Sequence, residues 1–166
     1  MLNEIAELKK SSLISIGGIG SINISENKKY VFKMTFNVVA YINNIKTNTL
    51  LKKYNIPSTN LLNYFFIKYD NDIFKKFPNQ LQILKTKNEY NNMDYVYILK
   101  YEAYLGNVYG LFSSLFFNIQ SYLSETDNIC YFKIWIYLIL LQLNEFKIYH
   151  NDLKLDNILI QVNNNK

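Results

Sequence analysis

Hydrophobic and polar residues alternate in short runs through the first third of the chain. Residues 1–10 have helical character, and three β-type runs follow over Ser12–Ile19, Gly20–Ser25 and Tyr30–Phe36. The polar residues Glu26–Lys29 predict a tight turn between the last two runs. The pattern therefore predicts antiparallel strands near the start of the chain.

The rest of the chain mixes helical and strand-like spacing. Apolar residues at helical intervals predict four helices, over Asn37–Tyr54, Leu61–Phe77, Leu111–Leu123 and Tyr131–Phe146. Asp127 and Asn128 predict the N-cap region of the last helix. Two strands are predicted over Leu81–Lys85 and Tyr95–Tyr101, with a polar hairpin connection at Asn88–Asn92. Strands, a helix, strands and then helices predict an α+β fold.

Composition favours a folded protein in a reducing compartment. The 166 residues are 49% hydrophobic, which is enough to form a core. The net charge is +5 and the sequence pI is near 9.1, but the lysines are scattered, so we expect no nucleic-acid partner. Cys130 is the only cysteine, which excludes an intramolecular disulfide and fits a cytoplasmic location.

No segment has the pattern of a secretion signal or a membrane span. Residues 1–10 are charged and lack an apolar signal core. The run Ile134–Leu143 is strongly apolar, but a bilayer requires about 20 residues. We therefore predict a buried helix there, with no membrane span.

Residues 149–160 carry the most specific motif, with the sequence Y-H-N-D-L-K-L-D-N-I-L-I. This segment resembles the catalytic loop of protein kinases, in which H-x-D-L-K-x-x-N precedes an apolar strand. Tyr131–Phe146 supplies the expected helix before the loop, and Ile158–Val162 the expected strand after it. The alternative is a polar loop between a helix and a strand, in which Asp and Asn form turns.

The resemblance implies a role for each polar residue of the loop. Asp152 would orient the attacking hydroxyl and accept its proton, and Lys154 would place positive charge on the transferred phosphoryl group. Asn157 would bind Mg²⁺ through its side-chain carbonyl. The single histidine, His150, is usually structural in such loops. ATP and Mg²⁺ are thus the expected cofactors.

The glycines near the start are similar to the glycine-rich loop of the same family, G-x-G-x-x-G-x-V. Gly17 and Gly20 would be its second and third glycines, Gly18 would add a further backbone N–H for the phosphates, and Ile22 would pack on adenine. Ser15 replaces the first glycine. A glycine-rich hairpin without a ligand would have the same sequence pattern.

Lys33 ends the segment Tyr30–Lys33, which resembles the V-A-I-K strand. It would hold the α- and β-phosphates; the alternative is an ordinary exposed strand lysine. Kinases pair this lysine with a helical Glu, and no Glu follows Lys33 before Glu89; Asp70 or Asp72, on the helix predicted before Pro78, could substitute for it.

The resemblance extends to the hinge that binds adenine. The run 96–102 is similar to the fifth strand of the kinase fold, and Phe77-Pro78-Asn79 is similar to its H-P-N turn. Backbone groups around Glu102 to Tyr104 would then face adenine.

The implied architecture is an antiparallel β-sheet N-lobe followed by the first helices of a helical C-lobe. An extension over 1–11 would precede the N-lobe at 12–103, with a hinge near 101–105 and a partial C-lobe at 106–166. The family's D-F-G segment does not follow Asn157 before Lys166, so the resemblance predicts a domain truncated after the catalytic loop.

Three functions of different classes are compatible with these motifs. The first is ATP-dependent phosphorylation of Ser or Thr in a protein substrate, which Lys154 favours. Asn151 replaces the loop's usual Arg and predicts activity that needs no activation-loop phosphate. The alternatives are a non-catalytic kinase-like binding module or remnant, and a small-molecule phosphotransferase. We expect a cytoplasmic protein, in the host cell if it is viral, and a partner that covers the helix Tyr131–Phe146.

Overall fold

Five strands form one antiparallel sheet in the order β1-β2-β3-β5-β4. The computed structural model describes residues 2–17, 20–69, 94–104, 106–107, 125–148 and 159–160. The elements are α1 (Leu2–Lys9), β1 (Ser12–Ile16), β2 (Ser21–Ile24), β3 (Tyr30–Thr35), α2 (Val38–Lys53), β4 (Leu61–Lys68), β5 (Tyr95–Glu102), β6 (Gly106–Asn107), α3 (Glu125–Glu145) and β7 (Leu159–Ile160). The predicted α+β class with an antiparallel sheet is confirmed.

The turn between β2 and β3 is built by the polar residues predicted for it. Asn27 Oδ1 accepts hydrogen bonds from Ser25 Oγ at 2.7 Å and from the Lys29 N–H at 3.0 Å. Lys28 has a φ of 57°, and its N–H donates to the Ser25 carbonyl at 2.9 Å. A short side chain that bonds to its own backbone stabilises such turns. The prediction of a turn at Glu26–Lys29 is therefore confirmed.

One face of the sheet is covered by α1 and is called the α1 face here. Its core consists of Leu8, Phe32, Met34, Phe36, Phe65, Val96 and Ile98. Leu8 is fully buried, and Ser11 ends the helix by donating from its N–H and its hydroxyl to the Leu8 carbonyl, at 3.0 and 2.7 Å. The predicted helical character of residues 1–10 is confirmed, and this helix contributes to the core of the sheet.

The opposite face, called the α2 face, is partly covered by α2. Its core consists of Tyr41, Tyr97, Leu99 and Tyr101, with Val38 and Ile45 packed against them. Asn37 caps the helix, since its Oδ1 accepts from the Ala40 N–H at 2.9 Å. Asn55, with a φ of 53°, follows the end of the helix. The helix predicted over Asn37–Tyr54 is confirmed.

The helix predicted over Leu61–Phe77 is wrong, because Leu61–Lys68 forms strand β4. This strand pairs with β5 along its length. Its aromatic residues contact both sides: Phe65 lies in the α1-face core, whereas the Tyr64 ring meets Tyr41 of α2. Apolar residues on both faces hide the two-residue period of a strand, and Tyr, Phe and Ile favour strands.

α3 begins earlier than predicted and ends in a defined cap. Asp127 and Asn128 lie inside the helix, so their predicted N-cap position is wrong. At the other end Lys147 has a φ of 54°, and Ile148 N–H donates to the Leu143 carbonyl at 2.9 Å. This hydrogen bond and the left-handed conformation of Lys147 form a Schellman motif directly before residue 149.

Most of the α3 side chains that the structure describes are exposed although many are apolar. The exposed apolar residues are Ile134, Trp135, Tyr137, Leu138, Leu140 and Leu141. Leu143 is buried, and Phe146 stacks on Tyr54 with ring centroids 4.0 Å apart. The prediction that Ile134–Leu143 is a buried helix is therefore wrong for most of its side chains, whereas the prediction of a partner for this helix stays a prediction. No helix in the described ranges is long and apolar enough to cross a membrane.

The chain divides into two compact units. The first comprises Met1–Lys52 and Ser58–Ala103, and the second Lys53–Pro57 and Tyr104–Lys166. Several predictions fall outside the described residues: the strand at 81–85, the hairpin at 88–92, the H-P-N-like turn at 77–79 and the helix at 111–123.

Candidate functional site

Gly17 and Gly20 flank the connection between β1 and β2. Ile16 pairs with Ser21 across the hairpin, and the Gly17 N–H donates to the Gly20 carbonyl at 2.8 Å. Ser15, at the position where the resemblance expects a first glycine, is exposed on β1. Gly18 lies outside the described residues.

Gly20 is required by a close backbone approach. A Cβ atom at this position would lie 2.4 Å from the Met34 carbonyl oxygen on β3, which no real side chain tolerates. A Cβ on Gly17 would lie 3.7 Å from its nearest neighbour, an ordinary contact. Gly20 thus has a packing role that holds the hairpin against β3, independent of any ligand.

Lys33 lies on β3 with its side chain on the α2 face. It pairs with Ile22 of β2 on one side and with Leu99 of β5 on the other. Directly opposed residues of paired strands project from the same face, so the predicted adenine-packing residue and the predicted phosphate-binding lysine are neighbours. One step along the sheet, Ile24 opposes Val31 and continues the apolar surface beside the ammonium.

The helix partner of Lys33 is Asn44 on α2. Lys33 Nζ donates to Asn44 Oδ1 at 3.4 Å, and Asn44 Nδ2 donates to the Ala40 carbonyl at 2.6 Å. Lys33 is half-buried, and this burial lowers the pKa of its ammonium below the ordinary value of 10.5. An amide oxygen therefore occupies the place where the resemblance requires a carboxylate.

The carboxylates predicted as substitutes for that Glu stay untested. Asp70 and Asp72 were considered on a helix that does not form over Leu61–Lys68, and both lie outside the described residues. Sequence reasoning missed Asn44, although a signal was present: α2 is the first helix after β3, and its polar residues are Asn, Thr and Lys.

At the end of β5, the backbone groups proposed for adenine already have partners within the sheet unit. The Glu102 N–H donates to the Asn60 carbonyl at 3.0 Å, and the Ala103 N–H donates to the Lys29 carbonyl at 2.9 Å. The Glu102 carboxylate accepts from Asn60 Nδ2 at 3.1 Å. Tyr104, the other predicted hinge residue, is half-buried and belongs to the second unit. These two N–H donors would have to exchange partners before they could bind a base.

Asp152, Lys154 and Asn157, which the sequence predicts to form a catalytic loop, lie outside the described residues. The elements on either side of the loop are described: α3 ends at Glu145, and β7 forms at Leu159–Ile160. β7 pairs antiparallel with β6, with Gly106 opposite Ile160. The expected strand after the loop is therefore present at these two residues.

In the described ranges no group of three His, Cys, Asp or Glu side chains could hold a metal ion. The predicted Mg²⁺ ligand, Asn157, stays a prediction.

Comparison with known proteins identifies neither a family nor a function for this chain. The chain matches no protein-family model, and it has no significant similarity to any curated protein.

Proposed function

We propose that this chain binds ATP through Lys33 and acts as a Ser/Thr protein kinase of the eukaryotic type. One observation carries the proposal: Lys33 lies on the third strand, one hairpin after the glycine turn, with its ammonium against the helix that follows. The kinase family uses a lysine at this point in this order of elements to hold the α- and β-phosphates.

The side chains around Lys33 fit a nucleotide. The described residues offer no carboxylate partner to this ammonium, which leaves its positive charge for a phosphate. Ile22, Ile24 and Val31 form a half-buried apolar strip on the same face, suited to the flat face of a base. The antiparallel sheet is compatible with the kinase N-lobe proposed for residues 12–103.

The proposed chemistry uses the residues of the 149–160 motif. Asp152 orients a Ser or Thr hydroxyl of the protein substrate and accepts its proton. Lys154 stabilises negative charge on the transferred phosphoryl group, and Asn157 holds Mg²⁺. Mg²⁺ held at Asn157 would neutralise phosphate charge, and ADP would leave as the phosphoryl group moves to the hydroxyl oxygen.

A second function, a kinase-like module that binds without catalysis, is favoured by two observations. Asn44 stands where an active kinase has Glu, and the Glu102 and Ala103 N–H groups are bonded within the sheet unit. In this case the α2 face would bind a nucleotide or a partner, and Asp152 would transfer nothing.

Nucleotide binding tests the proposal first. Titration of a fluorescent ATP analogue with Mg²⁺ into the full chain should give saturable binding, and Lys33→Met should weaken it by about tenfold or more because a charge-assisted hydrogen bond is lost. Lys46→Met removes an exposed lysine from α2 and is the matched control, with no expected change. Equal affinities of Lys33→Met and wild type would refute the phosphate role.

Phosphate transfer separates the remaining functions. Labelled ATP is incubated with a Ser/Thr peptide library and, separately, with hydroxyl-bearing small molecules. Transfer to peptides that Asp152→Asn abolishes supports the kinase, and transfer confined to small molecules identifies the phosphotransferase alternative. ATP binding without any transfer identifies the binding module.

A further inference from the structure

The side chain of Asn44 is held in one orientation by α2 itself. Its Nδ2 donates to the Ala40 carbonyl at 2.6 Å, which directs Oδ1 toward Lys33 Nζ at 3.4 Å. Ala40 is in turn held by the N-cap bond from its N–H to Asn37 Oδ1 at 2.9 Å. The oxygen that meets the lysine is therefore positioned by the first turns of the helix.

The surroundings of Lys33 contain no negative charge among the described residues. No Asp or Glu occurs between Glu26 and Asp70, so β3, α2 and β4 are free of acids. The one acid of β5, Glu102, accepts a hydrogen bond from Asn60 at 3.1 Å. The groups directly opposite Lys33 are apolar, Ile22 and Leu99. The other titratable side chains of the sheet and α2 that lie on this face are five phenols and, at the far end of β4, the ammonium of Lys68, which opposes Tyr95; the phenols are those of Tyr41, Tyr64, Tyr95, Tyr97 and Tyr101.

We propose that Asn44 is the positioning residue of Lys33, and that its neutrality reserves the lysine charge for an anionic polyphosphate ligand. This inference rests on the proposed function, because it assumes that Lys33 binds phosphate. It adds that the polyphosphate ligand supplies the negative charge that balances the Lys33 ammonium. A carboxylate at position 44 would compete with that ligand, whereas the amide guides the ammonium without neutralising it.

The test uses inorganic tripolyphosphate, which carries the charge of the nucleotide without its base. Calorimetric titration into the full chain should show binding, and Asn44→Asp should weaken it by about tenfold. Asn43→Asp adds the same charge to the neighbouring exposed position of α2 and should change the affinity by less than about twofold. Asn44→Ala should weaken tripolyphosphate binding by about threefold, because the Lys33 ammonium loses the hydrogen bond that orients it.

A spectroscopic readout on Lys33 distinguishes positioning from a merely structural role. The ¹³Cε resonance of Lys33 is assigned by its absence from Lys33→Met, and its titration is followed by NMR. We expect the pKa of Lys33 to rise in Asn44→Asp and to stay at its wild-type value in Asn43→Asp. In the wild type, saturating tripolyphosphate should also raise it, which tests the proposal even if Asn44→Asp does not fold.

The outcomes separate this inference from the proposed function. Equal effects of Asn44→Asp and Asn43→Asp, or a Lys33 signal that saturating tripolyphosphate leaves unmoved, would overturn the role of Asn44. If Lys33→Met still weakens ATP binding in that case, the nucleotide proposal stands. Unchanged binding of both ATP and tripolyphosphate by Lys33→Met would remove both.

Discussion

The two faces of the sheet each hold a half-buried lysine, and the lysines have different partners. On the α1 face, Lys100 Nζ forms an ion pair with Glu7 at 2.6 Å and lies 4.0 Å from the centroid of the Tyr30 ring. On the α2 face, Lys33 meets the neutral oxygen of Asn44 at 3.4 Å. Both lysines lie on central strands, and β3 and β5 are direct neighbours.

This difference separates a structural charge from a candidate binding charge. The Lys100 ammonium is neutralised and covered, so it contributes to holding α1 on the sheet. The Lys33 ammonium is desolvated without a described counter-charge, an arrangement that costs stability and is more typical of a binding site. Mutations of the two lysine sites should therefore change the stability by different amounts and in opposite directions.

The largest expected effect is on the closed α1 face. Leu8→Ala should lower the free energy of unfolding by about 3 kcal/mol, because Leu8 is fully buried and a cavity would remain. Leu50→Ala, on the exposed side of α2, should cost less than about 1 kcal/mol. Urea denaturation followed by circular dichroism measures both. A loss at Leu8 no larger than that at Leu50 would show that α1 does not close this face.

Tyr101 on the α2 face should make the protein sensitive to alkali. Burial raises the pKa of Tyr101 from 10.0 to about 12, so the folded state binds more protons than the unfolded state between these values. The stability that this group contributes is complete below pH 10 and is lost as the pH rises through about 12. Tyr101→Phe should remove a fall in the free energy of unfolding that is on the order of 2 kcal/mol in alkali.

This alkaline loss is measured from unfolding free energies at about pH 9 and about pH 11.5. Tyr137→Phe, at an exposed position of α3, is the control and should retain the wild-type loss. If Tyr101→Phe loses as much unfolding free energy in alkali as the wild type, a group other than Tyr101 causes the loss.

The ion pair of the α1 face should contribute a smaller amount. Glu7→Gln leaves the Lys100 ammonium half-buried without its carboxylate and should cost about 1 kcal/mol. Glu26→Gln breaks a 3.7 Å pair between exposed side chains, with Lys10, and should cost less than about 0.5 kcal/mol. Thermal unfolding compares the two variants, and equal costs would contradict a structural role for Lys100.

The smallest change in stability at neutral pH is expected for Lys33→Met, and it should not be a loss. The folded-state pKa of Lys33 lies below 10.5, the value of the unfolded state. Between the two pKa values the unfolded state binds more protons, so the free energy of unfolding of the wild type rises with pH there. Lys33→Met lacks this rise, so any advantage that it has at neutral pH should shrink toward pH 10.5. Denaturation at several pH values measures the difference, and a loss above about 1 kcal/mol would assign Lys33 a structural role.

Local sequence patterns predicted the elements whose signals lie within a few residues. The turn at Glu26–Lys29 formed because Asn27 bonds to its own neighbours, and α2 began at the Asn37 cap. The strands β1, β2, β3 and β5 likewise formed where β-type runs predicted them. In the candidate site, Ile22 and Lys33 lie opposite each other on β2 and β3, and Gly20 lies directly before β2.

The sequence by itself thus determined the local elements and the order in which the candidate residues occur. Only the tertiary structure decided that Leu61–Lys68 is a strand, because β5 pairs with it and residues from both helices contact its two faces. The same holds for Asn44, whose partner Lys33 lies on another element. Local spacing encodes helices and turns through contacts within a few residues, whereas cross-strand pairing and side-chain partners depend on distant segments that meet only in the folded chain.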